Sequence, residues 1–103
     1  MASSKAKTEE IAQLLSAAGD IRTRSMMGEY LLYVDDVLVG QVNNDELFIK
    51  VTAFGDTQLS AEHKVSPYPG AKPAFKIPAA KLGNPEWLTD FVRGSRAALA
   101  PQR

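Results

Sequence analysis

The sequence predicts an α+β domain of two layers, an antiparallel sheet packed with an N-terminal and a C-terminal helix. Amphipathic patterns near each end of the chain indicate the helices. Between them, residues 26–51 hold three apolar runs, separated by polar turn-forming side chains at Asp35-Asp36 and at residues 43–46. Because these runs follow one another directly, they favour a three-stranded meander, and the helices then form the second layer.

Length and composition indicate one domain over residues 1–103, since single domains commonly contain about 100–150 residues. The hydrophobic share of 45% is that of a globular chain. Residues 1–6 are small and polar, and we expect them to be disordered. The chain has no cysteine, which excludes disulfides, zinc–thiolate sites and cysteine nucleophiles.

Charge and hydropathy narrow the functional classes. The 12 basic residues are dispersed among 12 acidic ones, whereas nucleic acid binding needs a basic surface, so direct binding of nucleic acid is disfavoured. Arg22 and Arg24 could contact nucleic acid, but pairing with Glu9, Glu10 or Asp20 is the favoured interpretation. No run approaches the roughly 20 apolar residues of a membrane span, and the N-terminal residues lack the apolar segment of a signal peptide. We expect a cytoplasmic protein without membrane contact.

The first helix is expected over residues 8–18, with Thr8 as its N-cap and Gly19 directly after its last residue. Apolar side chains recur along it with helical spacing, which predicts one buried stripe. The stripe consists of Ile11, Leu14, Leu15 and Ala18. Residues 20–25 are interpreted as a polar connector that leads from this helix into the sheet.

Three strands are expected over residues 29–34, 37–42 and 47–52, with tight connections between them. The expected pairs are Val34 with Val37, Leu32 with Val39, Val42 with Leu47 and Gly40 with Ile49. Because side chains alternate between the two faces of a strand, this register places one apolar set on the core face. That set is Leu31, Tyr33, Leu38, Val42, Leu47, Ile49 and Val51.

The second face of the predicted sheet is also apolar, although a solvent-facing surface should be mostly polar. Its apolar residues are Leu32, Val34, Val37, Val39 and Phe48. Exposed patches of this kind mark interfaces, which predicts a homodimer through this face. An equally weighted alternative is that a helix or the following loop covers the patch within one chain.

The segment over residues 52–73 is long and rich in polar and turn-forming residues, and long loops are often functional. A short strand or helical turn around residues 59–65 is an alternative to a loop throughout. Within it, His63, Tyr68 and Lys72 are candidate ligand-binding or catalytic side chains. A metal site needs three or four ligands, whereas the chain has a single histidine and no cysteine. We therefore expect neither a metal nor a cofactor.

Residues 74–77 are expected to form a short strand at the sheet edge, because Pro78 ends it. A C-terminal helix follows, with Asn84 as N-cap, Pro85 at the first helical position and Pro101 as its end. Gly94 inside this helix costs about 1 kcal/mol relative to alanine. The inward stripe is Leu88, Phe91, Val92, Ser95 and Leu99.

Several short segments carry a family resemblance. They are Arg24, Met27-Gly28-Glu29-Tyr30, Leu32-Tyr33-Val34-Asp35-Asp36, Leu47-Phe48-Ile49-Lys50, Tyr68-Pro69-Gly70, Phe75 with Ile77-Pro78, and Asn84-Pro85-Glu86 with Leu88. Together they resemble the N-terminal domain of the TfoX/Sxy family, which reads R-x-M-F-G-G-x-G-L-Y-x-D-G and then L-Y-L-K. The likeness covers about residues 11–98. Glu29, Leu31 and Asp36 stand where glycines are common, and Met27 stands in place of phenylalanine.

The resemblance implies a link to transcriptional regulation of DNA uptake, acting with a cyclic-AMP receptor protein. It supplies no catalytic residues. Because the chain ends at Arg103, we expect a stand-alone N-terminal domain without the family's second, helical domain. The sequence therefore predicts a non-enzymatic, homodimeric protein-interaction module, and the resemblance implies a transcription regulator as its partner. The alternatives are a small-ligand binder or enzyme that uses residues 62–73, and a direct DNA binder.

Overall fold

The computed structural model describes residues 3–100 and confirms an antiparallel sheet with helices at both ends of the chain. The helices are α1 (Lys5–Leu14), α2 (Ala53–Asp56), α3 (Ala79–Leu82) and α4 (Pro85–Leu99), with 3-10 turns at Ser16–Ala18 and Ala61–His63. The strands are β1 (Ile21–Met26), β2 (Glu29–Val34), β3 (Val37–Asn43), β4 (Glu46–Lys50), β5 (Lys64–Val65) and β6 (Ala74–Lys76). They form one sheet in the order β1-β2-β3-β4-β6-β5, with every neighbouring pair antiparallel.

Three two-residue turns connect β1 to β4. They are Met27-Gly28, Asp35-Asp36 and Asn44-Asp45, and all six residues have positive φ. Positive φ at both central residues is the geometry of the type I′ turn, whose twist matches that of the flanking strands. Aspartate and asparagine tolerate this conformation better than most residues, which explains their use at two of the turns.

Strand β1 corrects the prediction of a connector over residues 20–25. The segment pairs with β2 along its whole length, from Ile21 opposite Val34 to Met26 opposite Glu29. It is exposed from Arg22 onwards, because it lies at the edge of the sheet. A strand that buries so little has no apolar alternation, and its sequence therefore lacks the pattern by which strands are predicted.

The structure has a β-bulge in β3, so the predicted register between β2 and β3 is wrong in part. Leu32 lies opposite Gly40 rather than Val39, while Tyr33 lies opposite Leu38. Val39 is the extra residue, and a bulge of this kind reverses the alternation of faces beyond it. The predicted pairs between β3 and β4 are confirmed.

The close approach of β4 explains why residue 40 is glycine. A Cβ atom built on Gly40 would clash with the backbone carbonyl oxygen of Phe48. Backbone atoms of a central strand cannot move aside, so only glycine fits here. The bulge places Val39 on the same face of the sheet as Val42 and its partner Leu47.

The core lies between this face and the helices, with α4 against β3 and β4 and α1 against β1. Its fully or nearly fully buried members are Ile11, Leu15, Ala18, Leu32, Val34, Val39, Val42, Leu47, Ile49, Leu59, Phe75, Ile77, Leu88, Phe91 and Val92. The rings of Phe75 and Phe91 pack edge-to-face with 5.9 Å between their centroids, and the rings of Trp87 and Phe91 stack with 4.8 Å between theirs. These contacts confirm the predicted inward stripe of the C-terminal helix, with Leu99 partly buried at its end.

The N-terminal helix begins earlier than predicted. Ser4, not Thr8, is the N-cap, and its hydroxyl accepts a hydrogen bond from the Lys7 amide at 3.0 Å. Thr8 is buried, and its hydroxyl donates to the Ser4 carbonyl. The expectation of disorder is thus wrong for residues 3–6, whereas Met1 and Ala2 lie outside the described residues.

The short strand at residues 74–76 is not an edge strand, contrary to the prediction from Pro78. It lies between β4 and β5, and Lys64–Val65 forms the edge beyond it. Pro78 follows the strand's end, and the last ladder bond is donated by Ile77 to the Leu47 carbonyl at 3.0 Å. The alternative of a short strand or turn within residues 59–65 is confirmed, since both occur there. Pro101 lies outside the described residues.

Candidate interaction surface

The patch predicted as an interface is not on the surface. Leu32, Val34 and Val39 have 0% exposure and belong to the core under the helices, with Val37 partly buried beside them. Phe48 points to the opposite side of the sheet but is only 3% exposed. For Leu32, Val34, Val37 and Val39 the alternative, in which the patch is covered within one chain, is therefore correct, because the bulge at Val39 places them on the face under the helices.

The opposite side of the sheet, which we call the outer face, carries the side chains that alternate with the core residues. They are Arg22, Arg24, Met26, Leu31, Tyr33, Leu38, Gln41 and Phe48. Leu31, Tyr33 and Leu38 are half-buried. These three were predicted for the core face, and the bulge moves them to the outer face as it moves Leu32 to the core.

Residues 66–73 cross part of the outer face. The Asn43 side-chain amide donates a hydrogen bond to the Pro67 carbonyl at 3.4 Å, which ties this segment to β3. The Ser66 hydroxyl donates to the Ala71 carbonyl at 2.9 Å and closes the segment into a compact loop. The loop thereby holds Tyr68, which is 51% exposed, against the sheet.

Two grooves adjoin on the outer face, because Gln41 and Tyr68 line both of them. The first has a volume of about 360 Å³ and is lined by Met26, Met27, Glu29, Gln41, Asn43 and Tyr68. The second has a volume of about 450 Å³ and is lined by Gln41, Lys50, Val51, Tyr68, Ala71, Lys72, Pro73, Ala74 and Leu99. Both combine apolar walls with a few polar groups, a composition suited to recognition.

The β1–β2 turn presents an apolar tip at the first groove. Met27 is 97% exposed with a φ of 52°, and Met26 beside it is 47% exposed. A left-handed conformation is unfavourable for an unbranched apolar side chain, and full exposure of methionine gains no burial energy. Strain and apolar exposure at one position point to a functional role, because they do not help the isolated fold.

A network of hydrogen bonds to Glu29 fixes the position of this tip. The carboxylate Oε1 accepts from the Ser3 hydroxyl at 2.6 Å, from the Ser3 amide at 2.9 Å and from the Asn44 amide at 3.2 Å. Asp45 accepts from the Ser4 amide at 2.8 Å. Ser3 and Ser4 are therefore hydrogen-bonded to the turns at Gly28 and Asn44. Glu29 has a structural role in these bonds, although glycine is common at its position in the TfoX/Sxy pattern.

The predicted trio of His63, Tyr68 and Lys72 is not assembled. Tyr68 and Lys72 both line the second groove, whereas His63 lines neither groove. His63 lies in a 3-10 turn with its Nε2 atom 3.8 Å from the Glu62 carboxylate. Within residues 3–100, no three histidine, aspartate or glutamate side chains lie close enough together to hold a metal ion.

The outer face and its rim carry several cations. Arg22 pairs with Asp20 at 3.2 Å, as predicted. Arg24, Lys50 and Lys72 are exposed and form no ion pair within residues 3–100. The outer face therefore carries these basic side chains together with the carboxylates of Glu29 and Glu46.

The hairpin tip and the grooves were missed in the sequence. Met26 and Met27 precede Gly28, so a turn with an apolar tip was visible, but reading β1 as a connector hid it. Tyr68 lies on the same groove as Met27 although 41 positions separate them in the chain. The register of β1, β2 and β3, together with the Asn43–Pro67 hydrogen bond, brings them together.

A known protein family matches most of the chain. The family model described as the TfoX N-terminal domain matches residues 13–99 of the 103-residue chain. The match includes all six strands, the hairpin tip, the lining residues of both grooves and α4. A search of curated proteins finds no match to the chain. Among residues 3–100, no helix is long and apolar enough to cross a membrane.

Proposed function

The chain belongs to the TfoX N-terminal domain family, and from this premise we propose that it is a non-enzymatic protein-interaction module of the cytoplasm. The observation that carries the proposal is the exposed and strained Met27 at the tip of the β1–β2 turn. Binding of a partner would bury the Met26 and Met27 side chains and so turn an unfavourable feature of the free domain into a favourable contact.

The proposed partner is a transcription regulator of the cyclic-AMP receptor type, and the proposed process is the control of DNA uptake. The family supports this choice, and the surface is compatible with a protein partner. Methionine adapts its shape to irregular apolar surfaces, and Tyr68 adds a large, partly exposed ring with a polar end. The groove between them accommodates a side chain of the partner.

A non-enzymatic role fits the composition of the grooves. The side chains that converge there are those of methionine, glutamine, asparagine and tyrosine, with lysines at the far end. Glu29, the carboxylate at the first groove, is already engaged by Ser3 and Asn44. Hydrogen-bond partners of this kind hold the hairpin tip in place, which suits recognition.

The expected homodimer remains a prediction, but its surface has changed. Leu32, Val34 and Val39 cannot form it, since they are buried in the core. The surface proposed for a dimer is instead the outer face, which carries the exposed Met26 and Met27 side chains. Size-exclusion chromatography with light scattering at high micromolar concentration tests this; a dimer is expected, and a strict monomer contradicts it.

The proposed function is tested by calorimetry with the purified cyclic-AMP receptor protein. Met27→Asn removes the apolar tip at a position where asparagine tolerates positive φ. We expect this change to weaken binding at least about tenfold, since about 1.4 kcal/mol of lost burial corresponds to that factor. The matched control is Val65→Asn, which removes a 41% exposed apolar side chain at the other edge of the sheet and should leave binding unchanged.

Two results would contradict the proposal. One is equal affinity of the regulator for the parent chain and for Met27→Asn. The other is the absence of binding to the regulator, together with no protein retained from a cell extract by the parent chain and lost with Met27→Asn. In both cases the exposed tip would have no recognition role.

A further inference from the structure

Strand β1 is an open edge of the sheet. It has six residues, whereas β5 at the opposite edge has two. Met26 and Glu29 flank a two-residue turn, so they form a hydrogen-bonded pair, and the pairing then alternates along β1. The bond from the Asp35 amide to the Asp20 carbonyl at 2.9 Å confirms this phase.

This phase leaves the backbone groups of the alternate residues, Ile21, Thr23 and Ser25, pointing away from the sheet. Within residues 3–100, β1 pairs with no strand besides β2, and no other backbone hydrogen bond uses these groups. Thr23 and Ser25 are exposed. The edge therefore offers three amide donors and three carbonyl acceptors in the arrangement that a further strand requires.

The side chains of β1 add a charge pattern to this edge. Arg22, Arg24 and Met26 share the outer face at alternate positions and are all exposed. Arg22 is held by Asp20, while Arg24 forms no ion pair within the described residues. Next to Met26 stands the exposed tip at Met27.

We propose that the β1 edge accepts an extended acidic segment of the partner protein by strand addition. The proposal rests on the proposed function and specifies how and with what chemistry the partner binds. In an antiparallel arrangement the partner segment would carry an apolar residue opposite Met26 and acidic residues opposite Arg24 and Arg22. Read from its N-terminus, the segment is apolar, any, acidic, any, acidic.

Charge decides against a second copy of the chain at this edge. Antiparallel pairing of two β1 strands about a two-fold axis would put Arg22 and Arg24 of both copies on the same face, where they repel. Positive side chains on an edge strand protect it from such self-pairing. The same charges attract an acidic strand, so the edge discriminates between these two occupants.

Nucleic acid fits this edge less well than polypeptide. Phosphates take cations and donors but leave the outward carbonyl groups of Ile21, Thr23 and Ser25 without partners, whereas a strand pairs with donors and acceptors alike. The apolar Met26 and Met27 side chains at the end of the edge also favour a protein segment.

The test is amide hydrogen exchange of the full chain, followed by NMR, with the synthetic peptide Thr-Val-Thr-Glu-Thr-Glu-Thr. The outward amides of Ile21, Thr23 and Ser25 should exchange about tenfold more slowly when free peptide is about ten times its Kd. The amides of Arg22 and Arg24 already pair with β2 and should change little. A scrambled peptide of the same composition should not protect the outward amides.

Matched variants separate backbone pairing from charge attraction. Thr23→Pro removes an outward amide, a change that edge strands tolerate, and should weaken peptide binding at least about fivefold, while Thr23→Val should not. Arg24→Glu should weaken binding about tenfold and reduce its salt dependence. If Thr23→Pro fails to fold, a peptide methylated on its alternate backbone nitrogens removes the partner's donors instead and should lose affinity to the same extent.

Several outcomes would overturn the proposal. Equal affinity for the designed and the scrambled peptide would show that the arginines attract acidic peptides without sequence specificity. Protection of the three amides that grows with protein concentration, without peptide, would identify a second copy as the occupant. Protection of the same amides by duplex DNA but not by peptide would identify nucleic acid. If the outward amides stay unprotected while Met27→Asn still weakens regulator binding, the edge proposal fails and the proposed function stands.

Discussion

Gly94 shows how a single residue in a helix can be explained only by its neighbour. Glycine in the middle of α4 costs about 1 kcal/mol relative to alanine. The ring of Phe54, however, occupies the space where a Cβ atom of residue 94 would lie. Phe54 also packs at 6.2 Å from Phe91, so the absent side chain allows an aromatic contact that joins α2 to α4.

We therefore predict that Gly94→Ala destabilises the protein, against the usual effect of this change in a helix. The expected loss is about 1–3 kcal/mol of unfolding free energy, from overpacking against Phe54. Urea denaturation measures it. The control is Gly83→Ala, where the nearest atom to an added Cβ is 3.7 Å away and stability should change little. Unchanged or raised stability of Gly94→Ala would show that Phe54 moves aside freely.

A second prediction at the residue scale concerns Val39, which the sequence placed in an exposed patch. Val39→Lys should unfold the protein or lower its stability by at least about 3 kcal/mol, because it buries an unpaired charge in the core. Val65→Lys serves as the control at an exposed strand position and should be tolerated. Thermal melting followed by circular dichroism distinguishes them. A stable, folded Val39→Lys protein would mean that this residue does not face the core.

At the scale of elements, the β1–β2 turn is less stable than it could be, because the exposed Met27 adopts a positive φ. Met27→Asn should raise the unfolding free energy by about 0.5–1 kcal/mol, because asparagine before glycine is well suited to a type I′ turn. Thermal melting or urea denaturation measures the gain. Lower stability of this variant would mean that Met27 makes contacts that support the fold, and that its exposure serves no partner.

The hydrogen bonds around Glu29 act on two turns at once. Glu29→Ala should lower stability by about 1–3 kcal/mol, because the Ser3 hydroxyl and the Asn44 amide lose a charged acceptor. It should also speed amide exchange at Ser3, whose amide bonds to the same carboxylate. Glu62→Ala, which changes an exposed carboxylate in a 3-10 turn, is the control. Unaltered exchange at Ser3 would contradict this role.

Elements that depend on local signals could be predicted from the sequence. Asn84 and Pro85 start α4 through their own backbone preferences, and Asp35-Asp36 forms its turn for the same reason. The bulge at Val39 could not be predicted, because it belongs to the pairing of β3 with β2 across the sheet and has no local turn signal. One extra residue exchanges the two faces on one side of the bulge, so Leu31, Tyr33 and Leu38 leave the predicted core face while Val42, Leu47 and Ile49 stay on it.

At the scale of the whole molecule, the helices cover one side of the sheet, and the proposed recognition uses the other. The outer face gathers exposed cations, the hairpin tip and two adjoining grooves, although the chain carries no net charge. Tyr68 and Lys72 were predicted as members of a site, and the structure places both on the second groove. Met27 and the β1 edge were not predicted as parts of a site, because their proposed role depends on residues that only the folded chain brings next to them.

We propose that the outer face around Met27, together with β1, binds a partner protein. Hydrogen–deuterium exchange of the full chain, measured with and without the purified cyclic-AMP receptor protein, would locate the binding surface. We expect slower exchange in β1 and at the adjoining turn at Met27, with exchange in the backbone of α4 unchanged. Slower exchange confined to α4, or no change at any residue, would contradict it.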